Sequence, residues 1–225
     1  MERVINQMIA KVFQTALLFA IPASLMCQKT SDGSTPQYYF EDFVNGTVKM
    51  KNGQIQTPLL NYNTVTEKMV FVRDDKYYDL TNPEMVDSVT IKNIRFVPVG
   101  KVFYEVLLSG PTALFIQHKG SLLPAGKQVG YGGTSQLASA HYISNIDLSS
   151  GRYNLPLPSE YIVNVTPLYW IRRDNEMLSF TNERQFLSFY PGQTAKIKTF
   201  TKENRIKFDR KDHLIKLVEF CNTLQ

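Results

Sequence analysis

Between Phe43 and Lys119 apolar and polar positions alternate with period two, broken every few residues by turn-forming dipeptides. In "TVKMK", Val48 and Met50 share one side and the lysines the other. The Asn52-Gly53 pair that follows is a strong hairpin signal, with "QIQTPLLNY" as the returning strand. "EKMVFVR" and "YYDL" flank a tight turn at Asp74 to Lys76, and "SVTI" and "RFVPV" flank Lys92-Asn93. "KVFYEVLLSG" follows a turn at Gly100, and "TALFIQHKG" one at Gly110-Pro111. Pro83 suits the first position of a single helical turn. Roughly seven or eight short strands with such short links favour antiparallel neighbours, hence a meander curling into a small barrel or sandwich. Pro58 and Pro98 each remove a ladder donor and belong at edges or bulges. "VFYEVLL" is apolar on both faces except at Glu105, the pattern of a central strand covered on both sides, by the C-terminal helices on one of them.

The alternation lapses between Gly120 and Leu155, where Gly, Ser and Ala dominate. A segment of that length without secondary structure is usually functional or mobile. Strand grammar resumes with "RYNLPL", "EYIVNVTPLYWIRR" and, after "DNE", "EMLSF", which should rejoin the same sheet. From Thr181 the period becomes helical. The first helix takes Thr181 or Asn182 as N-cap, presents Phe186, Leu187, Phe189 and Tyr190, and stops at Pro191-Gly192. A second carries Ile197 and Phe200. A third starts after Asp209 as N-cap and places Leu214, Leu217, Val218 and Cys221 on one buried face. The class read from this pattern is α+β, mainly β, with two or three C-terminal helices packed on an antiparallel meander.

The N-terminal stretch changes the domain plan. Arg3 and Lys11 precede an apolar run from Val12 to Met26, too short to span a bilayer and shaped like a secretory signal. Cleavage before Gln28 would leave residues 28–37 as a flexible leader, 38–180 as the β domain and 181–225 as a helical tail. The rival reading is a lipoprotein anchored at Cys27, although Met26 is large where such signals want a small residue. Cleavage would leave Cys221 as the sole cysteine, so packing rather than a disulfide must supply stability. The formal charge is +5, or +4 once Glu2, Arg3 and Lys11 are removed. The basic residues are scattered among acidic ones, which argues against a nucleic-acid stripe. No second apolar span marks a transmembrane segment in the remaining chain.

Candidate chemistry is sparse. "GKQVGYGGTSQ" concentrates glycines, but Lys127 precedes Gly130 where a P-loop needs Lys after its last Gly, and Ser135 stands where a dinucleotide fingerprint needs a third Gly. Its glycines read as the hinge of an exposed loop, with Tyr131, Gly132, Gly133, Thr134 and Ser135 as the binding candidates. Ser135, His141 and Asp147 form no recognisable triad. His118, His141 and His213 are scattered without ligand spacing, so neither metal nor cofactor is expected. Among Asp74, Asp75, Asp79, Glu84, Asp87 and Glu105, only Glu105 sits where burial could raise a carboxyl pKa. Tyrosines beside polar neighbours offer faces for sugar or peptide recognition.

Taken together, "NGTVKMKNGQIQTPLLNYNTVTEKMVFV", "HKGSLLPAGKQVGYGGTSQ" and the Lys-rich tail from Asn182 onward resemble a family of uncharacterised secreted bacterial proteins. The resemblance implies export and a single β unit with a helical tail, and it brings no activity. The expected function is a non-catalytic binding or structural module of the cell envelope, periplasmic or secreted, whose partner is an envelope protein or glycan. The alternatives are a hydrolase of envelope polymers using Glu105 with a second carboxylate, and a carbohydrate-binding module using exposed tyrosines.

Overall fold

The computed structural model describes residues 36–124, 127–129, 133–135 and 161–224. The strands are β1 (Val44–Met50), β2 (Ile55–Gln56), β3 (Leu59–Asn63), β4 (Lys68–Arg73) and β5 (Lys76–Asp79). After one 3-10 turn at Pro83–Met85 come β6 (Val86–Ile91), β7 (Ile94–Val99), β8 (Val102–Leu108) and β9 (Ala113–Pro124). Then follow β10 (Lys127–Val129), β11 (Gly133–Ser135), β12 (Tyr161–Arg173) and β13 (Glu176–Phe180). Three helices close the chain: α1 (Glu183–Ser188), α2 (Thr194–Glu203) and α3 (Lys211–Asn222).

An 11-stranded antiparallel sheet runs in the order β13-β12-β9-β8-β7-β6-β1-β3-β4-β5, with β2 paired to β1. The mainly β, α+β class follows directly, and the sheet is open, with β13 and β5 at its ends. Its tightest links are two-residue turns with both residues at positive φ: Asp74-Asp75, Lys92-Asn93 and Asp174-Asn175. This conformation matches the right-handed twist of the flanking strands. Gly53, at φ 88, makes the Asn52-Gly53 turn. The returning strand is broken at Thr57-Pro58 into β2 and β3, and Pro58 accepts from Gly46 N through its carbonyl (3.1 Å). Pro98 lies in β7 beyond the last β6 pair, Val89 with Phe96, so its missing N–H costs no rung on that side.

The sheet curls until the turn between β3 and β4 reaches back to β8 and β9. The β8–β9 ladder stops at Glu105 and Ile116, and the β3–β4 turn takes up the backbone groups beyond that point. Phe103 N donates to Glu67 O (3.1 Å), and Gly120 N donates to Thr64 O (2.8 Å). Gly120 is required by this approach, because a Cβ there would stand 2.7 Å from Thr64 Oγ1. Before β1, Tyr38 and Tyr39 lie along the end of β3, and buried Asn61 fastens the segment. Its Oδ1 accepts from Phe40 N (3.1 Å), and its Nδ2 donates to Phe40 O (2.8 Å) and Asp42 O (3.2 Å).

The inner face of the sheet carries two cores side by side. Under the curl, Val48, Leu60, Tyr62, Met69, Phe96 and Phe103 pack together, with Tyr62 and Phe96 stacked at 5.3 Å. Under the helices, Leu114, Ile116, Ile171 and Phe180 meet Phe186, Leu214, Leu217 and Val218. A register shift between Val106 and Leu108 turns both Leu107 and Leu108 toward the helical core. Helix α1 begins with a capping box: Asn182 Oδ1 accepts from Gln185 N (3.0 Å), and Gln185 Oε1 accepts from Thr181 N (2.8 Å).

Two sequence expectations need correction. The N-cap of α3 is Arg210, in extended conformation with no side-chain cap bond, rather than Asp209. The segment expected to lose structure from Gly120 instead continues β9 to Pro124, paired with Tyr161 to Val165 of β12. The alternation signal fails there because that end of the β9–β12 pair has no core to face: Leu123, Ile162 and Val165 are all exposed.

Candidate functional site

Glu105 lies at the point where β8 and β9 part, on the inner face between the two cores. It is 3% exposed. Its diagonal neighbour His118 hydrogen-bonds Glu105 Oε2 through Nε2 (2.7 Å), and Lys211, the first residue of α3, donates from Nζ to Glu105 Oε1. Tyr39 packs its ring on His118 (centroids 4.5 Å apart), and burial together with the charge of Glu105 and a hydrogen bond to it pushes the Tyr39 phenol up to about 12. Burial pushes the Glu105 carboxyl up, but the bonds and charges of His118 and Lys211 outweigh it and hold it below the usual carboxylate range. This is a carboxylate held ionised by His118 and Lys211, with the Tyr39 hydroxyl as a third partner, and it ties the helical tail to the sheet.

On the outer face a second side-chain network fastens the curl. Trp170 Nε1 donates to Gln117 Oε1 (3.0 Å), and Gln117 Nε2 donates to Glu67 Oε1 in the β3–β4 turn. Glu67 has φ 57, a left-handed conformation held by this bond and by its carbonyl's bond to Phe103 N.

The third feature is a cavity of about 530 Å³ at the open mouth of the curl, between β1, β2 and the β4–β5 hairpin. Its floor is Val48 and Leu60, its walls Met50, Phe71, Tyr78 and Leu80, and its rim Arg73, Thr81 and Asn82. Phe71 and Tyr78 stack at 5.5 Å, so one wall is a fixed aromatic surface. Asp79 also borders the space, but its carboxylate takes Lys68 Nζ at 2.8 Å. The size falls within the range of about 300 to 1,000 Å³ typical of small-molecule sites, and the mouth of a barrel-like sheet is a usual place for one.

The residues singled out from the sequence separate in space. Asp74 and Asp75 are the exposed residues of a hairpin turn. Asp87 accepts from Ser88 Oγ (2.9 Å) and faces Lys49. No candidate carboxylate is placed beside Glu105, whose partners are His118 and Lys211; the paired-carboxylate arrangement that a hydrolase needs has no counterpart at Glu105 among the described residues. His213 accepts from Lys207 N (3.0 Å), a local staple at the start of α3. Among the described residues no group of three His, Cys, Asp or Glu could hold a metal, and no helix is long and apolar enough to cross a membrane. Tyr77 and Tyr78 are each 42% exposed but consecutive in β5, so they point to opposite faces and make no common platform. Gly133, Thr134 and Ser135 form β11, paired with Lys127, Gln128 and Val129. Tyr131, Gly132, His141 and Asp147 lie outside the described residues, as do the Cys27 and Gln28 cleavage readings.

The mouth cavity escaped the sequence reading. Its floor and walls come from four strands, β1, β3, β4 and β5, each of which shows only an ordinary apolar alternation. The one legible oddity was "YYDL", which puts Tyr, Tyr and Leu on an exposed edge strand and its exit. Comparison with known protein families, with curated proteins and with solved structures returned no match.

Proposed function

We propose that this chain is an exported, non-catalytic binding module that takes an apolar small molecule into the mouth of its curled sheet. The cavity lined by Val48, Leu60, Phe71 and Tyr78 carries the reading. A preformed apolar space of drug-like size needs no reorganisation to accept a ligand, and the stacked aromatic wall holds its shape. The buried carboxylate at the centre of the fold, Glu105, supports the same reading from the other side, being committed to Lys211 and His118. Export rests on the sequence from Arg3 to Met26, and the intact mass of the protein recovered outside the cytoplasm should correspond to a start at Gln28.

The test is titration of the purified protein with the neutral dye N-phenyl-1-naphthylamine. Saturable fluorescence enhancement with one site is expected, and Met50→Trp and Leu80→Trp, which fill the cavity from opposite walls, should each reduce it at least tenfold. Dye binding that survives both substitutions in folded protein would dismiss the mouth as the site.

A further inference from the structure

The outer face of the sheet carries a second, separate concavity of about 260 Å³, bordered by β6, β7, β8, β9, β12 and β13 and by Lys51 after β1. Its floor is apolar: Val97, Val99, Val106, Ala113, Phe115 and Met177. An antiparallel sheet that faces water on one side ordinarily shows polar residues there. Here that face instead holds the third hydrophobic cluster of the fold, built on Tyr104, Ala113 and Phe115. Its rim is cationic. Arg172 lies at one end with its guanidinium 5.3 Å from the Phe115 ring centroid, and Arg95 and Lys51 lie at the other. Among the described residues no carboxylate lies within ion-pair distance of these three cations. The single acidic residue in the lining, Asp87, is hydrogen-bonded by Ser88, faces Lys49 and is also attracted by the charge of Arg95.

We propose that this trough binds an extended acidic peptide segment of a partner protein, with two acidic residues flanking apolar ones. Three observations select that occupant. Arg172 at one end and Lys51 with Arg95 at the other outnumber the one acidic residue of the lining, Asp87, and an apolar floor between cationic ends favours negative charge at both ends of an apolar body. The volume falls below the roughly 300 Å³ at which whole small-ligand sites begin, and suits side chains laid across a face. Arg172 on β12 and Arg95 on β7 are carried by strands three apart in the sheet order, about 14 Å at the usual strand spacing of roughly 4.8 Å. An extended peptide covers that span in about four residues. The trough is distinct from the mouth cavity, which opens on the inner face, so this binding stands or falls independently of the function proposed above.

The experiment uses fluorescein-labelled peptides of one composition, an apolar core of Val, Thr and Phe with two Glu residues set one to eight positions apart. Fluorescence anisotropy is read against the folded protein at two salt concentrations. Affinity should peak at a Glu spacing near four, and Arg95→Glu and Arg172→Glu should each weaken the best peptide at least tenfold. Replacing one Glu of the peptide by Lys should restore binding to the matching charge-reversed variant. Lys51→Glu supplies a further reversal that leaves the Arg172 contact with Phe115 intact. Equal affinity at all spacings would mean unspecific charge attraction and overturn the proposal. So would displacement of the peptide by dodecanedioate at concentrations below the peptide's own dissociation constant, which would assign the trough to a small dianion.

Discussion

Glu105 decides how the tail is held, and its chemistry gives a signed pH dependence. Its folded-state carboxyl titrates below the ordinary Glu value of 4.5, so between the two values the unfolded chain binds the extra proton. Stability from this group is therefore fully present above pH 4.5 and is lost as pH falls through the folded value. Removing the partners in turn separates the costs. Lys211→Met leaves a buried carboxylate with His118 and Tyr39 and should cost about 1 to 3 kcal/mol at pH 7, allowing for solvent around the half-exposed lysine. Glu105→Gln removes the buried charge, should cost less than Lys211→Met, and should flatten the acid limb. Urea denaturation of both variants between pH 3 and 7 checks this, and equal acid limbs in wild type and Glu105→Gln would refute it. Glu105 was visible in the sequence as the one charge in an apolar strand. Its partners were not, because His118 is 13 residues away and Lys211 is 106, and only the curl and the helical return bring them together.

At the scale of elements, local grammar was the most legible layer. Asn52-Gly53, Lys92-Asn93 and Asp174-Asn175 turn where the sequence says they must, because positive φ is a property of a few residues and needs no distant partner. The helical stripe of α3 is equally local: Leu214, Leu217, Val218 and Cys221 are all fully buried. Burial pushes the Cys221 thiol up to about 12, so at pH 8 it is almost entirely protonated and shielded. In protein beginning at Gln28 this is the sole thiol, and it should react with a maleimide only when α3 lifts from the sheet. Labelling should accelerate in Lys211→Met, which loosens the first residue of the helix, and remain unchanged in Lys49→Met on the distant β1. Fast labelling of the native wild type would contradict the packing. The boundaries that escaped the sequence share one cause. The end of β9 and the cap of α3 are set by neighbours, β12 in one case and the turn before the helix in the other, so the residues themselves carry no marker.

The molecule as a whole depends on a curl that no local signal announces. A sheet of eleven strands that stayed flat would leave the inner faces of β6, β7 and the start of β8 without cover, since the helices pack against the end of β8 and against β9, β12 and β13. Bending β3, β4 and β5 over that region buries Phe96 and Phe103, creates the mouth cavity at the open end, and places the β3–β4 turn against β8 and β9. The closest point of that contact is Gly120, whose missing side chain admits Thr64. Gly120→Ala should therefore destabilise the protein by about 1 to 3 kcal/mol through overpacking, despite the usual entropic benefit of replacing glycine. Because the turn and the cavity belong to the same bent hairpin, the substitution should also weaken dye binding at the mouth, far from position 120. It should leave peptide affinity at the outer trough within twofold, since Phe115 and Arg172 stand toward the other end of the β9–β12 ladder from Gly120, and Arg95 lies on β7. Thermal unfolding with both titrations distinguishes the outcomes. A loss at the mouth with the trough retained assigns the cavity to the curl, whereas a stable variant with full dye binding would show that the approach of Thr64 to Gly120 does not hold the curl closed.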